Sequence, residues 1–120
     1  MNRENQDLGC LGEQKAAAYL IEKGYRIVDT NVRTPYGEID LIADYNNVLI
    51  FVEVKTRSSS AFGLPEEAIT QRKREHMLSS AQAYLQEFDS LDHNWRIDVI
   101  AVRKISDQYQ IVHFENVITE

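Results

Sequence analysis

The sequence predicts a mixed α/β (α+β) domain in which a central mixed sheet of about five strands is flanked by helices. The hydrophobic periodicity along the chain changes in the order helix, three strands, helix, two strands, with no internal repeat. The chain has 120 residues, of which 43% are hydrophobic and 27% are charged, as is ordinary for a globular protein. Residues 1–120 are therefore expected to form a single domain with helices packed on one sheet.

The first helix is predicted over residues 5–23, where Gly24 suits the C-terminal cap. Glu13 lies on the apolar stripe of this helix, so its carboxylate is expected to point at the sheet and not at solvent. The stripe recurs at helical spacing and consists of Leu8, Leu11, Ala16, Ala17, Leu20 and Ile21.

Three strands should follow this helix. The segment YRIVDTNVR (25–33) has strand character, and Pro35 and Gly37 separate it from a hairpin at 38–56. Asn46 and Asn47 are the expected hairpin turn, because Asn tolerates left-handed backbone conformations.

The second half of the chain is predicted to form a helix and two strands. The small-residue loop SSSAFG leads to a helix expected to begin near Pro65, and WRIDVIAV and YQIVHF are strands joined at Ser106 and Asp107. The buried face of the helix is expected to carry Ala68, Ile69, Met77, Leu78, Ala81, Tyr84 and Leu85.

The hairpin contains charged residues inside apolar runs. A turn at residues 46 and 47 places Asp40 opposite Glu53, with Lys55 on the same face. Like charges directly opposite each other destabilise a strand pair, so a divalent cation such as Mg²⁺ between the two carboxylates is the favoured explanation. Lys55 would then orient a water molecule or stabilise developing negative charge. The other face is predicted to be apolar, with Ile39, Leu41, Ala43, Ile50, Val52 and Val54.

A purely structural explanation of these charges stays open. Glu38 would face Lys55 in the same register, so the charges could form a cross-strand ion-pair network on a solvated face. Asp98, inside WRIDVIAV, is expected to pair with an Arg or Lys on a neighbouring strand, with a role behind the site as the second interpretation. Tyr36 and Phe62 are expected to be packing residues, with platforms for base stacking as the second interpretation.

Composition restricts the classes of function. The formal net charge of −6 argues against a protein that coats nucleic acid. Cys10 is the only cysteine and the three histidines have no zinc spacing, which indicates a cytoplasmic protein without a disulfide and favours oxygen ligands for any metal. No signal peptide or membrane-spanning segment is predicted. A basic edge remains, and we expect it to contact phosphate or to be a solvated face; it comprises Arg57, Arg72, Lys73 and Arg74.

An Asp on one strand (ID, 39–40) followed by Glu-x-Lys on the next (EVK, 53–55) resembles the PD-(D/E)xK nuclease superfamily. With a glutamate on the preceding helix, the pattern is most similar to the Holliday junction resolvase branch. One departure is Ile39, where the superfamily name has Pro. Over nearly the whole chain, the sequence resembles the YraN-like family of small bacterial proteins, which are described as endonucleases. The segments that carry this resemblance are GEQKAAAYL, NVRTPYGEIDLIA, FVEVKTR, FG and RIDVIAV.

The resemblance implies a restriction-endonuclease-like core and a DNA endonuclease that uses Mg²⁺ or Mn²⁺ to hydrolyse phosphodiester bonds, with branched or structured DNA among the substrates. By position, Asp40, Glu53 and Lys55 would be catalytic. The metal ligands would be Asp40, Glu53, the backbone carbonyl of Val54 and Glu13. The resolvase branch also implies a homodimer. The alternatives are a catalytically silent nuclease fold that binds nucleic acid or a protein partner, and a structural adaptor that binds neither metal nor nucleic acid.

Overall fold

The structure is a computed structural model that describes residues 3–57, 70–88 and 93–117, with side chains from residue 9 onward. Its elements follow the predicted order of helix, three strands, helix and two strands. They are α1 (Arg3–Glu22), β1 (Arg26–Thr34), β2 (Gly37–Tyr45), β3 (Val48–Arg57), α2 (Gln71–Glu87), β4 (Asn94–Ile105) and β5 (Gln108–Phe114).

The five strands form one mixed sheet in the order β1-β2-β3-β4-β5. Neighbouring strands are antiparallel except β3 and β4, which run parallel. Parallel neighbours need a crossover connection, and α2 lies within the segment that joins these two strands. The predicted α+β class with a mixed five-stranded sheet is confirmed.

Helices cover both faces of the sheet. Ile50 and Val52 of β3 belong to the hydrophobic cluster that contains Ala16 and Leu20 of α1. The alternating residues Leu49 and Phe51 belong to the cluster that contains Ala81, Tyr84 and Leu85 of α2. A central strand covered on both faces needs apolar residues at successive positions, which explains the continuous run VLIFV in β3.

The predicted apolar face of the hairpin is wrong at Ile39. Leu41 and Val52 pack in the α1 cluster as expected, whereas Ile39 packs in the α2 cluster. The alternation of side chains along β2 therefore breaks at Asp40, which lies beyond the last β2–β3 pair and whose carboxylate accepts the Val54 N–H.

The turns lie where the sequence placed them. Asn46 and Asn47 have φ of 53° and 64°, as a tight hairpin turn requires, and Ser106 at the β4–β5 turn has φ of 55°. Gly24, with φ of 96°, follows α1 as its cap, and the Tyr25 N–H donates to the Leu20 carbonyl.

The ends and faces of the helices differ in part from prediction. Thr70 is the N-cap of α2 and accepts a hydrogen bond from the Lys73 N–H, so the described helix begins at Gln71. The predicted start near Pro65, with Ala68 and Ile69, lies outside the described residues. The assignment of Ile21 to the buried stripe of α1 is wrong, because 59% of this residue is exposed beside the helix end. Neither described helix combines the length and apolar character needed to cross a bilayer.

Asp98 is fully buried in β4 and serves as a structural acceptor. Its carboxylate binds the Arg96 Nε at 3.0 Å, the His113 Nε2 at 2.7 Å and the Asn116 N–H at 2.9 Å. Burial alone would raise the Asp98 pKa, but these hydrogen bonds outweigh it and lower the pKa. The prediction of an Arg or Lys partner on a neighbouring strand is therefore wrong. Arg96 lies two residues away on β4 itself, on the same face, and the partner from the neighbouring strand β5 is His113.

Gly12 allows α1 to lie directly on the end of β3. A Cβ at this position would overlap the Thr56 Oγ1 and would lie 3.0 Å from the Thr56 Cβ and Cγ2. Gly9, one turn earlier in the same helix, has no atom within 4 Å of such a Cβ. The absence of a side chain at Gly12 thus determines how closely the segment that carries Glu13 approaches the sheet.

Gly12→Ala is expected to lower the free energy of unfolding by about 1–3 kcal/mol, because overpacking exceeds the gain in helix propensity. Gly9→Ala is the matched control and should leave stability unchanged or raise it by up to about 1 kcal/mol. Urea unfolding monitored by circular dichroism measures both values. Equal stability of the two variants would contradict the close contact at Gly12.

Candidate active site

The site lies where the regular pairing of β2 and β3 ends. Their register runs from Tyr45 opposite Val48 to Leu41 opposite Val52, as the turn predicted. Asp40 is the next residue on β2, and its Oδ2 accepts a hydrogen bond of 2.8 Å from the Val54 N–H. At this point a hydrogen bond from the β3 backbone to the Asp40 side chain takes the place of a backbone–backbone hydrogen bond. It holds the Asp40 carboxylate against β3.

Glu53 is the first residue of β3 beyond the last pair, as Asp40 is on β2, and two lysines bind it. Its Oε1 lies 3.0 Å from the Lys73 Nζ of α2 and 3.6 Å from the Lys55 Nζ of β3. The side chains of Glu53 and Lys55 are only 15% and 11% exposed, so their ion pair is largely shielded from water, whereas the Lys73 side chain is 38% exposed. The alternative prediction of an ion pair between Lys55 and Glu38 is wrong. Among the described residues, Lys55 pairs with Glu53.

The two lysines respond differently to the site. Burial lowers the pKa of Lys55 to about 8, and the contact with Lys73 adds to the effect against the attraction of Glu53. Burial also opposes charge on Lys73, but its contacts with Lys55 and Glu53 outweigh burial and raise its pKa. Lys55 is therefore the amine that loses its proton first.

Asp40 has the most strongly displaced carboxyl pKa of the site. Burial and then the charge of Glu53 raise its pKa to about 7, against the stabilising Val54 N–H, and the charges of Glu13 and Glu38 add to the rise. The pKa of Asp40 is thus raised by three other carboxylates, which lie on α1, β2 and β3.

Asn31 links two of these carboxylates and was missed by the sequence analysis. With its amide nitrogen turned toward the carboxylates, Asn31 donates to the Glu13 Oε1 at 2.9 Å and to the Glu38 Oε1 at 3.1 Å. Burial and the charge of Glu38 raise the pKa of Glu13, which α1 carries to the sheet as expected. Asn is unfavourable within strands, so its presence in VDTNVR was a signal for a special position.

A cavity of about 410 Å³ opens over these residues. Asp40, Glu53 and Glu38 line it from the sheet, and Arg72, Lys73 and His76 line it from α2. Tyr36 also lines it and is 54% exposed, so its assignment as a packing residue is wrong. The cavity combines carboxylates, cationic groups and one aromatic ring.

The four residues of the predicted basic edge do not lie together in the structure. Arg72 and Lys73 line the cavity, although Lys73 is bound to Glu53. Arg74 instead donates to the Val117 carbonyl at 3.4 Å and joins α2 to the segment after β5. Arg57 is partly buried and donates to the Thr56 carbonyl at 2.9 Å. Arg72 is thus the exposed member of the set at the cavity.

The carboxylates that line the cavity are oxygen ligands of the kind that a hard divalent cation takes. Among the described residues, no group of three or more His, Cys, Asp or Glu side chains has an arrangement that could hold a metal ion. Mg²⁺ needs only one or two carboxylates, with water and substrate phosphate completing its ligands. Asp40 and Glu53 fit that requirement if Lys73 leaves Glu53, and the mutual repulsion that raises the Asp40 pKa favours a cation there.

The chain belongs to the uncharacterised protein family UPF0102, whose model matches residues 12–102. A UPF0102 protein of Alkaliphilus oremlandii is 49% identical over 114 residues, covering 93% of this chain and 97% of the relative. A UPF0102 protein of Syntrophotalea carbinolica is 45% identical over 116 residues, covering 95% and 93%. The resemblance to the YraN-like family is thereby confirmed. These names state no activity, so catalysis, metal, DNA, the dimer and the compartment stay predictions.

Among solved structures, the chain is similar to Pyrococcus furiosus SfsA in complex with Ca²⁺, at 14% identity and a TM-score of 0.39. The alignment covers 86% of this chain and 62% of SfsA. The fold class follows from the sheet topology of the chain itself.

Asp40→Asn is expected to stabilise the metal-free protein at pH 8 by roughly 1–3 kcal/mol, a discounted fraction of the free energy that the pKa shift represents. A carboxyl whose folded pKa is raised to about 7 destabilises the fold increasingly as the pH rises from about 4 to 7, so the gain should vanish near pH 4. Asn keeps an oxygen that can accept the Val54 N–H. Urea unfolding at both pH values measures the difference.

Asp44→Asn on the same strand is the matched control. Asp44 is paired with Arg26 at 2.9 Å, so its replacement removes an attraction and should not stabilise the protein at either pH. A gain for Asp44→Asn equal to that for Asp40→Asn would show that the effect does not come from repulsion within the site.

Proposed function

We propose that this protein is a metal-dependent DNA endonuclease that hydrolyses phosphodiester bonds with Mg²⁺ or Mn²⁺. The observation that carries the proposal is that Asp40 and Glu53 line one cavity, while Lys55, whose pKa is lowered to about 8, lies 3.6 Å from the Glu53 carboxylate. Family membership alone supplies no activity, but the chain retains the Asp and Glu-x-Lys pattern of the PD-(D/E)xK nucleases on adjacent strands.

Asp40 and Glu53 would hold the ion, with the Val54 carbonyl and Glu13 as the further ligands implied by the resemblance. When bound, the ion would polarise the scissile phosphate and lower the pKa of a coordinated water. The Val54 N–H keeps the Asp40 carboxylate in place for this role. Glu13 would approach through α1, where Asn31 holds its carboxylate.

Lys55 would assist the attacking water. Because its pKa is lowered to about 8, a useful fraction of Lys55 is neutral near pH 8 and can accept a proton from water. Lys73 would leave Glu53 when the ion binds and would then balance negative charge on the phosphate. Arg72 at the exposed rim would contact the DNA backbone without sequence preference.

Purified protein incubated with Mn²⁺ and branched, nicked, linear or single-stranded DNA is expected to cleave at least one substrate. Asp40→Ala should reduce the cleavage rate about 100-fold or more, because it removes a metal ligand. Glu115→Gln is the matched control: Glu115 is an exposed carboxylate paired with Arg96 away from the cavity, so the rate should be unchanged. Absence of cleavage of every substrate, or an unaltered rate in Asp40→Ala, would reject the endonuclease.

The cleavage rate at saturating Mn²⁺ should also rise with pH toward about 8, since a neutral Lys55 would be needed to accept the proton. Lys55→Arg keeps the positive charge but cannot lose its proton in this range, so it should lower the rate about 100-fold and remove the part of the rise near pH 8. Initial rates from pH 6 to 9 measure the profile. A wild-type profile in Lys55→Arg would exclude Lys55 as the proton acceptor.

A catalytically silent module that binds nucleic acid or a protein partner is the second candidate. It is favoured by the two lysines on Glu53 and by the lack of a three-ligand group among the described side chains. DNA binding that is insensitive to Mn²⁺ and survives Glu53→Gln, without cleavage, would support this module. Calorimetric titration with Mn²⁺ tests the third candidate, a structural adaptor that binds no metal. Site-specific heat of binding that is lost in Asp40→Ala would exclude this adaptor.

A further inference from the structure

The turn between β1 and β2 displays an aromatic ring over the candidate site. Thr34 pairs with Gly37, so Pro35 and Tyr36 form the turn. Tyr36 is 54% exposed, yet it lines the same cavity as Asp40. The ring is therefore within the volume that a ligand of the carboxylates would enter.

Hydrogen bonds fix this turn to α2. The Thr34 hydroxyl donates to the Gly37 carbonyl at 2.8 Å and accepts the Tyr36 N–H at 3.1 Å. It is also 3.0 Å from the hydroxyl of Ser80, one of the few buried polar residues, at 2% exposure. The backbone that carries Tyr36 is thus anchored to α2, so this turn requires little ordering when Tyr36 binds a planar ligand.

The groups around Tyr36 suit a single nucleic-acid strand. Arg72, Lys73 and His76 line the cavity from α2, while the carboxylates lie on its sheet side. Proteins that bind single strands combine cationic groups that contact the backbone with aromatic rings on which bases stack. The net charge of −6 offers little general attraction to a duplex, so a few phosphate contacts would need support from stacking.

We propose that Tyr36 stacks against an unpaired base and selects DNA with unpaired nucleotides, such as a single strand or a flap, over uninterrupted duplex. A base inside a duplex is covered on both faces by its neighbours, and it must leave the stack before it can contact the ring. The proposal names the substrate class of the same site and rests on the proposed endonuclease function. Tyr36 would bind the base while the adjoining phosphate extends toward Asp40 and Glu53.

Binding measured in EDTA tests this preference independently of catalysis. Fluorescence anisotropy with a labelled single-stranded oligonucleotide, and with the same strand in a duplex, should give tighter binding of the single strand. Tyr36→Ala is expected to weaken single-strand binding about 5- to 150-fold, the range for loss of one base–aromatic stack. Tyr36→Phe retains the ring face and should bind within about twofold of the wild type.

Phe88→Ala is the matched control, because Phe88 is 55% exposed at the other end of α2 and does not line the cavity. Its single-strand affinity should equal that of the wild type. The inference is overturned if the wild type binds duplex as tightly as single strand or binds neither. Wild-type affinity in Tyr36→Ala, or an equal loss in Tyr36→Phe or Phe88→Ala, would also overturn it.

Cleavage with Mn²⁺ separates this inference from the function on which it rests. Single-strand binding that depends on Tyr36, with no cleavage of any substrate, would support the stacking role and reject the endonuclease. Cleavage that depends on Asp40 but is unaffected by Tyr36→Ala would support the endonuclease and reject the stacking role.

Discussion

The repulsion between Asp40 and Glu53 is the constraint on which the architecture of the site depends. A sheet covered by helices on both faces offers little water to screen two facing carboxylates, and burial raises the Asp40 pKa to about 7. The fold limits this cost locally. The Val54 N–H binds one carboxylate, and Lys55 and Lys73 bind the other.

The two helices bring further side chains to the site of Asp40 and Glu53. Gly12 lets α1 approach β3 closely enough to carry Glu13 to the sheet, and Thr70 begins α2 so that Lys73 lies in its first turn. Asp98 contrasts with Asp40. It is buried as deeply as any residue of the core, but Arg96, His113 and the Asn116 N–H satisfy it and lower its pKa. Asp98 is therefore a structural carboxylate, whereas Asp40 remains short of positive charge.

Several features of the site followed from the sequence because they depend on neighbouring residues. The two-Asn turn determined the register of β2 and β3 as far as Leu41 opposite Val52, directly before Asp40 and Glu53, since a one-residue slip would move every side chain to the other face. Other features did not follow. Ile39 lies on the α2 side because the alternation of β2 breaks at Asp40, and Tyr36 is exposed in a turn whose Thr34 hydroxyl contacts Ser80, far along the chain.

The sequence by itself determined the order of elements, the hairpin register and the group of acids with one lysine, because periodicity and turn chemistry are local properties. Only the tertiary structure decided that Lys73 binds Glu53, that Asn31 joins Glu13 to Glu38, and that Arg74 donates to the Val117 carbonyl. These contacts depend on how the helices lie across the sheet. That placement follows from packing between residues distant in the chain, which no local pattern specifies.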